Sequence, residues 1–152
     1  MTVVARLEEG ALHPEQELRA LLERAKGDGA VVSFTGLVRA ISKGGQIVDR
    51  LILEHHPTLT QQSLEDIANE ATAKFDVSQV HVVHRRGDVL AGDPVVFAGA
   101  AALHRRSAFE AADYLMDRLK TEAVFWKREV GPQRSNWIEP TEADHADRER
   151  WS

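Results

Sequence analysis

No cysteine occurs among the 152 residues of this sequence. Its absence excludes disulfides, thiolate metal sites and any cysteine nucleophile or persulfide carrier. Sulfur handled by this chain must therefore arrive on another molecule. Long apolar runs are also missing, since none approaches the ~20 residues that a membrane helix needs. The stretch from Met1 to Glu9 has no charged start followed by a long apolar core. A secretory signal is not expected, and the cytoplasm is the expected compartment. No Walker or dinucleotide-binding glycine pattern is present. The net charge of −5 argues against a general nucleic-acid binder.

What is there reads as one compact domain over residues 1–152. Apolar residues make up 43% and charged residues 28%, an ordinary mixture for a globular chain. The charge is uneven. Between His104 and Arg134 lie Arg105, Arg106, Arg118, Lys120, Lys127, Arg128 and Arg134 against Glu110, Asp113, Asp117, Glu122 and Glu129. That segment carries +2 and the remainder −7. A basic region on an acidic protein suggests a focused anion site, with chance clustering as the alternative.

The patterning predicts three helices and six or seven strands. Thr2 to Leu7 reads as a strand, and Pro14 with Glu15 opens a helix that Gly27 or Gly29 ends. Ala30 to Arg39 alternates as a strand does, and Gly36 within it suggests a bulge or a close backbone approach. Ser42 to Gln46 is a glycine-bearing loop. Leu51 to His56 is a strand, and Thr60 to Phe75 is a helix with Leu64, Ile67, Ala68 and Ala71 on one face. Val80 to His84 is a strand. The glycines of Arg86-Gly87-Asp88 and Ala91-Gly92-Asp93-Pro94 then punctuate a connection. Val95 to Leu103 is almost wholly apolar, as a strand covered on both faces would be. Ser107 and Glu110 have capping-box spacing at the start of a third helix. Val124 to Glu129 and Asn136 to Glu139 are extended. The charged tail, 141–152, is expected to be loosely held, with Trp151 a possible anchor. Strand pairs mixed with helices favour an α+β sandwich of mixed and antiparallel sheet.

Two junctions carry candidate chemistry. Lys120 falls in the last turn of the third helix, where the dipole stabilises a cation. Lys127 follows on a strand whose Phe125, Lys127 and Glu129 share a face. A turn between them would bring two ammonium groups over one pocket and lower the pKa of at least one. Alternatively Lys120 caps the helix and Lys127 is solvated. At Leu103-His104-Arg105-Arg106-Ser107 a strand end meets a helix start, a common anion site. Arg105 and Arg106 suit phosphate forks, and His104 beside them is a residue type suited to proton exchange. His55 and His56 point to opposite faces of a strand and make a poor ligand pair, so no metal site is expected.

Five segments resemble the large, catalytic subunit of molybdopterin synthase, the MoaE family. They are Phe34-Thr35-Gly36-Leu37-Val38-Arg39, Leu53-Glu54-His55-His56-Pro57, His84-Arg85-Arg86-Gly87-Asp88, His104-Arg105-Arg106-Ser107-Ala108-Phe109-Glu110-Ala111, and Leu119-Lys120-Thr121 with Phe125-Trp126-Lys127-Arg128-Glu129. They occur in the family's order and span about residues 30–137.

The resemblance implies an α/β hammerhead-type fold and a sulfurtransferase. Its reaction would convert cyclic pyranopterin monophosphate to molybdopterin by forming a dithiolene. The implied sulfur donor is a small ubiquitin-like carrier subunit with a thiocarboxylated Gly-Gly tail. Two large subunits would form a homodimer within a heterotetramer, with no cofactor, nucleic acid or membrane involved. Carried over by motif, the implied substrate-binding residues are Leu37, Val38, Arg39, His104, Arg105, Lys120, Lys127, Arg128 and Glu129. Lys120 and Lys127 are the implied catalytic pair. Arg39, His104 and Arg105 would hold phosphate and pterin. Lys120 would meet the carrier's terminal carbonyl, and Lys127 would stabilise charge or act as acid/base. The rival expectation is a non-catalytic module that binds a phosphorylated metabolite or a carrier tail.

Overall fold

The computed structural model describes residues 2–132 and 134–152. In chain order the elements are β1 (Thr2–Glu8), α1 (Pro14–Arg24), β2 (Ala30–Leu37), β3 (Arg50–His55), α2 (Leu59–Lys74), β4 (Gln79–Arg85), β5 (Gly87–Leu90), β6 (Pro94–Ala102), α3 (Arg105–Glu122), β7 (Phe125–Gly131), β8 (Arg134–Ile138) and α4 (Glu142–Glu149). They build an α+β architecture on two four-stranded sheets.

The first sheet has the order β1-β4-β6-β2. β1 runs parallel to β4, and the other pairings are antiparallel. α2 and α3 cover one face, where Leu64, Ile67 and Leu115 pack on Val80, Val82 and Ala98. α1 covers the other, where Leu21 meets Val83, Phe97 and Ala101. This double cover explains why β6 is apolar at nearly every position. It also lets β4 bury its whole length, including His81 and His84 on opposite faces. His81 faces α1, where Nε2 meets Glu17 Oε1 at 2.8 Å and Nδ1 lies 2.6 Å from Arg24 Nη2.

The second sheet, β5-β3-β7-β8, is antiparallel throughout. Its small core is Val38, Val48, Leu53 and Val89. Val95 and Phe125 pack against this core and against that of α2 and α3. The two sheets are joined there, and a cleft opens beside the joint.

Several expectations need correction. Among the described residues the helices number four, not three, because the tail folds. Thr141 caps α4 in a reciprocal box with Asp144, a signature that the charge of the segment obscures. Trp151 does anchor the end, edge-on to Phe75 and Tyr114 at 5.6 Å each. A strand, β5, occupies the supposed connection between Arg86 and Pro94. Its four residues are bounded by Gly87 and Gly92, both at positive φ, which hid it as a turn. Ser107 is not a cap, since α3 starts at Arg105 directly off β6, with His104 at the N-cap. α1 ends at Arg24, before either glycine. β2 closes at Leu37, two residues short of Arg39. The register does shift between Gly36 and Leu37. A Cβ on Gly36 would lie 2.7 Å from Val96 Cγ1, so the close approach is by a side chain rather than backbone.

Candidate functional site

The cleft between the sheets has a volume of about 950 Å³. Each wall is set by a local feature of the chain. The bulge at the end of β2 turns Leu37, Val38 and Arg39 into it, and the Ser42–Gln46 loop brings Lys43. The last turn of α3 supplies Lys120. β7 alternates in the expected sense, so Phe125, Lys127 and Glu129 line the cleft while Trp126 and Arg128 do not. Arg134 and Asn136 of β8 and Asp144 of α4 complete the rim.

Two lysines therefore meet in one cavity. Lys120 is exposed and Lys127 is half-buried. Burial is the main cause that lowers the Lys127 pKa, to about 8 from 10.5; the Lys120 charge adds to it, and Asp144 opposes. At neutral pH roughly one Lys127 in ten is then a free amine, against fewer than one in a thousand for an ordinary lysine. Asp144 is itself held below the usual carboxylate range despite its desolvation. Thr141 hydrogen bonds come first, and then the charges of Lys120 and Lys43. The cleft can hold an anion and offer one amine able to give or take a proton near neutrality.

Other residues singled out from sequence are not gathered here. His104 and Arg105 are exposed at the opposite end of α3. At 1.5 Å per residue, the 15 positions from Arg105 to Lys120 span about 22 Å. Leu103 and Phe109, at 61% and 59% exposure, flank them with unpartnered apolar surface. Arg128 points to the far face of its sheet. Its guanidinium lies over the Trp137 ring at 5.5 Å and donates to Ser135 Oγ at 3.1 Å.

Four cleft residues were not singled out from sequence. Lys43 sits in a loop that the sequence marked only by its glycines, and Arg134 was counted for charge alone. Asp144 lay in the supposed loose tail. His84 belonged to a resembling segment but had no role assigned to it. The Thr141–Asp144 spacing was the one local signal that could have drawn attention to α4.

The MoaE protein family model matches residues 7–122. The chain is 45% identical over 136 residues to the molybdopterin synthase catalytic subunit of Escherichia coli, covering 90% of this chain and 89% of that one. Its fold is similar to that of the molybdopterin biosynthesis MoaE protein from Burkholderia ambifaria, with a TM-score of 0.83 and 35% identity over 99% of this chain and 98% of that one. It is also similar to a chain in the structure of molybdopterin synthase from Staphylococcus aureus. There the TM-score is 0.78, with 28% identity over 88% of this chain and 96% of that one. No helix among the described residues is long and apolar enough to cross a membrane.

Proposed function

This chain belongs to the MoaE protein family, and from that premise we propose that it is the catalytic subunit of molybdopterin synthase. It converts cyclic pyranopterin monophosphate to molybdopterin with sulfur from a thiocarboxylated small carrier subunit. The carrying observation is the meeting of Lys120 and a half-buried Lys127 in one cleft with Arg39.

The roles follow from exposure and charge. Lys120, at the solvent side, meets the acyl carbonyl at the end of the carrier tail and polarises it. Lys127, deeper and easier to deprotonate, stabilises negative charge or passes a proton as sulfur joins the pterin side chain. Arg39 grips the phosphate, and Leu37, Val38 and Glu129 shape the pterin side of the cleft. His104 and Arg105 lie too far along α3 to serve the cleft of their own chain. In this reading the second copy of a homodimer presents them, their exposed Leu103 and Phe109 neighbours being covered in the process. Arg128 supports β8 through Trp137 and acts on substrate only indirectly. The reaction runs in the cytoplasm and requires no cofactor.

The test is product formation from thiocarboxylated carrier by Lys120→Ala and Lys127→Ala proteins. A loss of about a hundredfold or more in each is expected for removal of a general acid–base or charge-stabilising group. Near-normal rates in both would sink the assignment. Ligand binding without sulfur incorporation by the unaltered protein would favour the non-catalytic module.

A further inference from the structure

His84 lines the cleft wall, and its geometry fixes which nitrogen carries the proton. Nδ1 lies 2.8 Å from the carbonyl oxygen of Arg85. A carbonyl only accepts, so Nδ1 is the protonated donor and Nε2 holds a lone pair. No described residue hydrogen-bonds Nε2. The fully enclosed, unpartnered side-chain polar atoms among the described residues are Arg85 Nε and Arg128 Nε. Nε2 is not one of them, so it opens onto the cleft that His84 lines.

The ring cannot easily turn away. It stacks on Phe125 with centroids 4.3 Å apart and planes 29° apart. Its strand, β4, is hydrogen-bonded on both sides, with Leu7 of β1 and Val96 of β6 opposite His84. Burial first, then the Lys127 charge from β7, and less strongly that of Lys120 from α3, push its pKa down to about 3. The imidazole is therefore neutral wherever the protein is folded and working.

An acceptor of this kind has a distinct use. Arg39, Lys43, Lys120, Lys127 and Arg134 offer the cleft donors only. They suit a phosphate but cannot bond the N–H groups of a pterin. The carboxylates on the cleft wall are Glu129, Glu139 and Asp144, and Asp144 Oδ2 accepts the Thr141 N–H at 2.9 Å. A carboxylate would also cancel part of the positive field that holds the phosphate, whereas a neutral imidazole accepts without that cost. Building on the function proposed above, we infer that His84 is a further specificity-determining residue, whose Nε2 accepts a hydrogen bond from an N–H or O–H of the bound pterin.

The experiment is steady-state sulfur transfer with the carrier complex for wild type, His84→Phe and His84→Gln. Phe keeps a flat ring on Phe125 without a nitrogen, and Gln restores an acceptor oxygen near the Nε2 position. His84→Phe is expected to raise KM for the pterin about tenfold, the effect of one hydrogen bond, with kcat within about twofold. His84→Gln should recover most of that loss. Inhibition by sulfate, which fills an anion site but donates no hydrogen bond, should be unchanged in both. The KM ratio of His84→Phe to wild type should stay constant from about pH 6 to 8, because a neutral imidazole gains no proton there. An unchanged KM in active His84→Phe protein overturns the inference, as does a parallel loss of sulfate inhibition, which would mark a structural role. Should His84→Phe not fold, ¹⁵N NMR of the wild-type imidazole decides. Addition of the pterin must shift Nε2 and leave Nδ1 in place, and an unmoved Nε2 overturns the inference. Wild-type protein that forms no molybdopterin would overturn the functional reading instead, a separate result.

Discussion

Trp151 donates its indole N–H to Asp117 Oδ2 at 2.7 Å, tying the last turn of the chain to the middle of α3. Arg150 grips the same carboxylate oxygen at 2.6 Å. Phe75, just past α2, and Tyr114 of α3 close edge-on around the indole. The tail thus fastens to the helix that carries Lys120, and α4 sits with Asp144 on the rim of the cleft. Trp151→Ala should cost about 2–3 kcal/mol, below the usual range for a fully buried Trp because this one is only half-buried. Thr141→Ala, which opens the cap of α4, should cost about 1 kcal/mol. Urea denaturation measures both, and a loss under about 0.5 kcal/mol for Trp151→Ala would show that the tail is not held as described.

Sulfur-transfer rate should depend on the protonation of Lys127. With its pKa near 8, the free-amine fraction rises as pH passes from 7 to 9. If the amine is the working form, the rate climbs through that range and levels off. Lys120→Gln removes a like charge and lets the Lys127 ammonium persist longer, so whatever activity remains should titrate at higher pH than wild type. Rate–pH profiles of the two proteins check this, and a midpoint that does not move would separate the two lysines electrostatically.

Acid should weaken the fold through His84. Its folded pKa of about 3 lies below the ordinary 6.5, so between those values the unfolded chain binds a proton that the folded one refuses. The stability from keeping this ring neutral is fully present above pH 6.5. It declines as pH falls through the window, by at most about 1.4 kcal/mol per pH unit. His81, lowered mainly by burial, adds in the same direction. The expected result is a shallower slope of unfolding free energy against pH for His84→Phe between pH 4 and 6. Parallel slopes for variant and wild type would contradict it.

A mixing experiment checks whether His104 and Arg105 serve a neighbouring chain. Arg105→Ala and Lys127→Ala proteins should each be inactive. Coexpressed in equal amounts, half of the dimers are mixed, and each mixed dimer has one intact and one doubly altered site. About a quarter of wild-type activity should return. No recovery would mean that Arg105 and Lys127 must lie on the same chain to cooperate.

Much of this was legible from spacing. The apolar stripes of α2 and α3 and the double-sided apolarity of β6 report direct packing, which periodicity encodes. The shared face of Phe125, Lys127 and Glu129 followed from strand alternation alone. The distance between the two basic junctions was not legible, because nothing in the one-dimensional charge count says that a straight helix of 18 residues holds them apart. β5 was lost because its four residues lie between two glycine turns and gain their pairing only from β3, far away in sequence. α4 was hidden by its own charges. The ion pairs Arg148–Glu122 and Arg150–Asp117 show that those charges are spent on α3 rather than on solvent. His84 stood in a resembling segment with no role attached to it, since its importance comes from Phe125 and Lys127 arriving some forty residues later in the chain.

The length of α3 sets a further condition on how this protein works in dilute solution. In the dimer proposed above, a helix that shows Lys120 at one end and His104 with Arg105 at the other would give each copy parts of two reaction centres but the whole of neither. Specific activity should then not be constant with concentration. It should fall once the sample is thinned enough for copies to part, and addition of an inactive but dimer-forming variant should raise the turnover of the remaining wild-type chains.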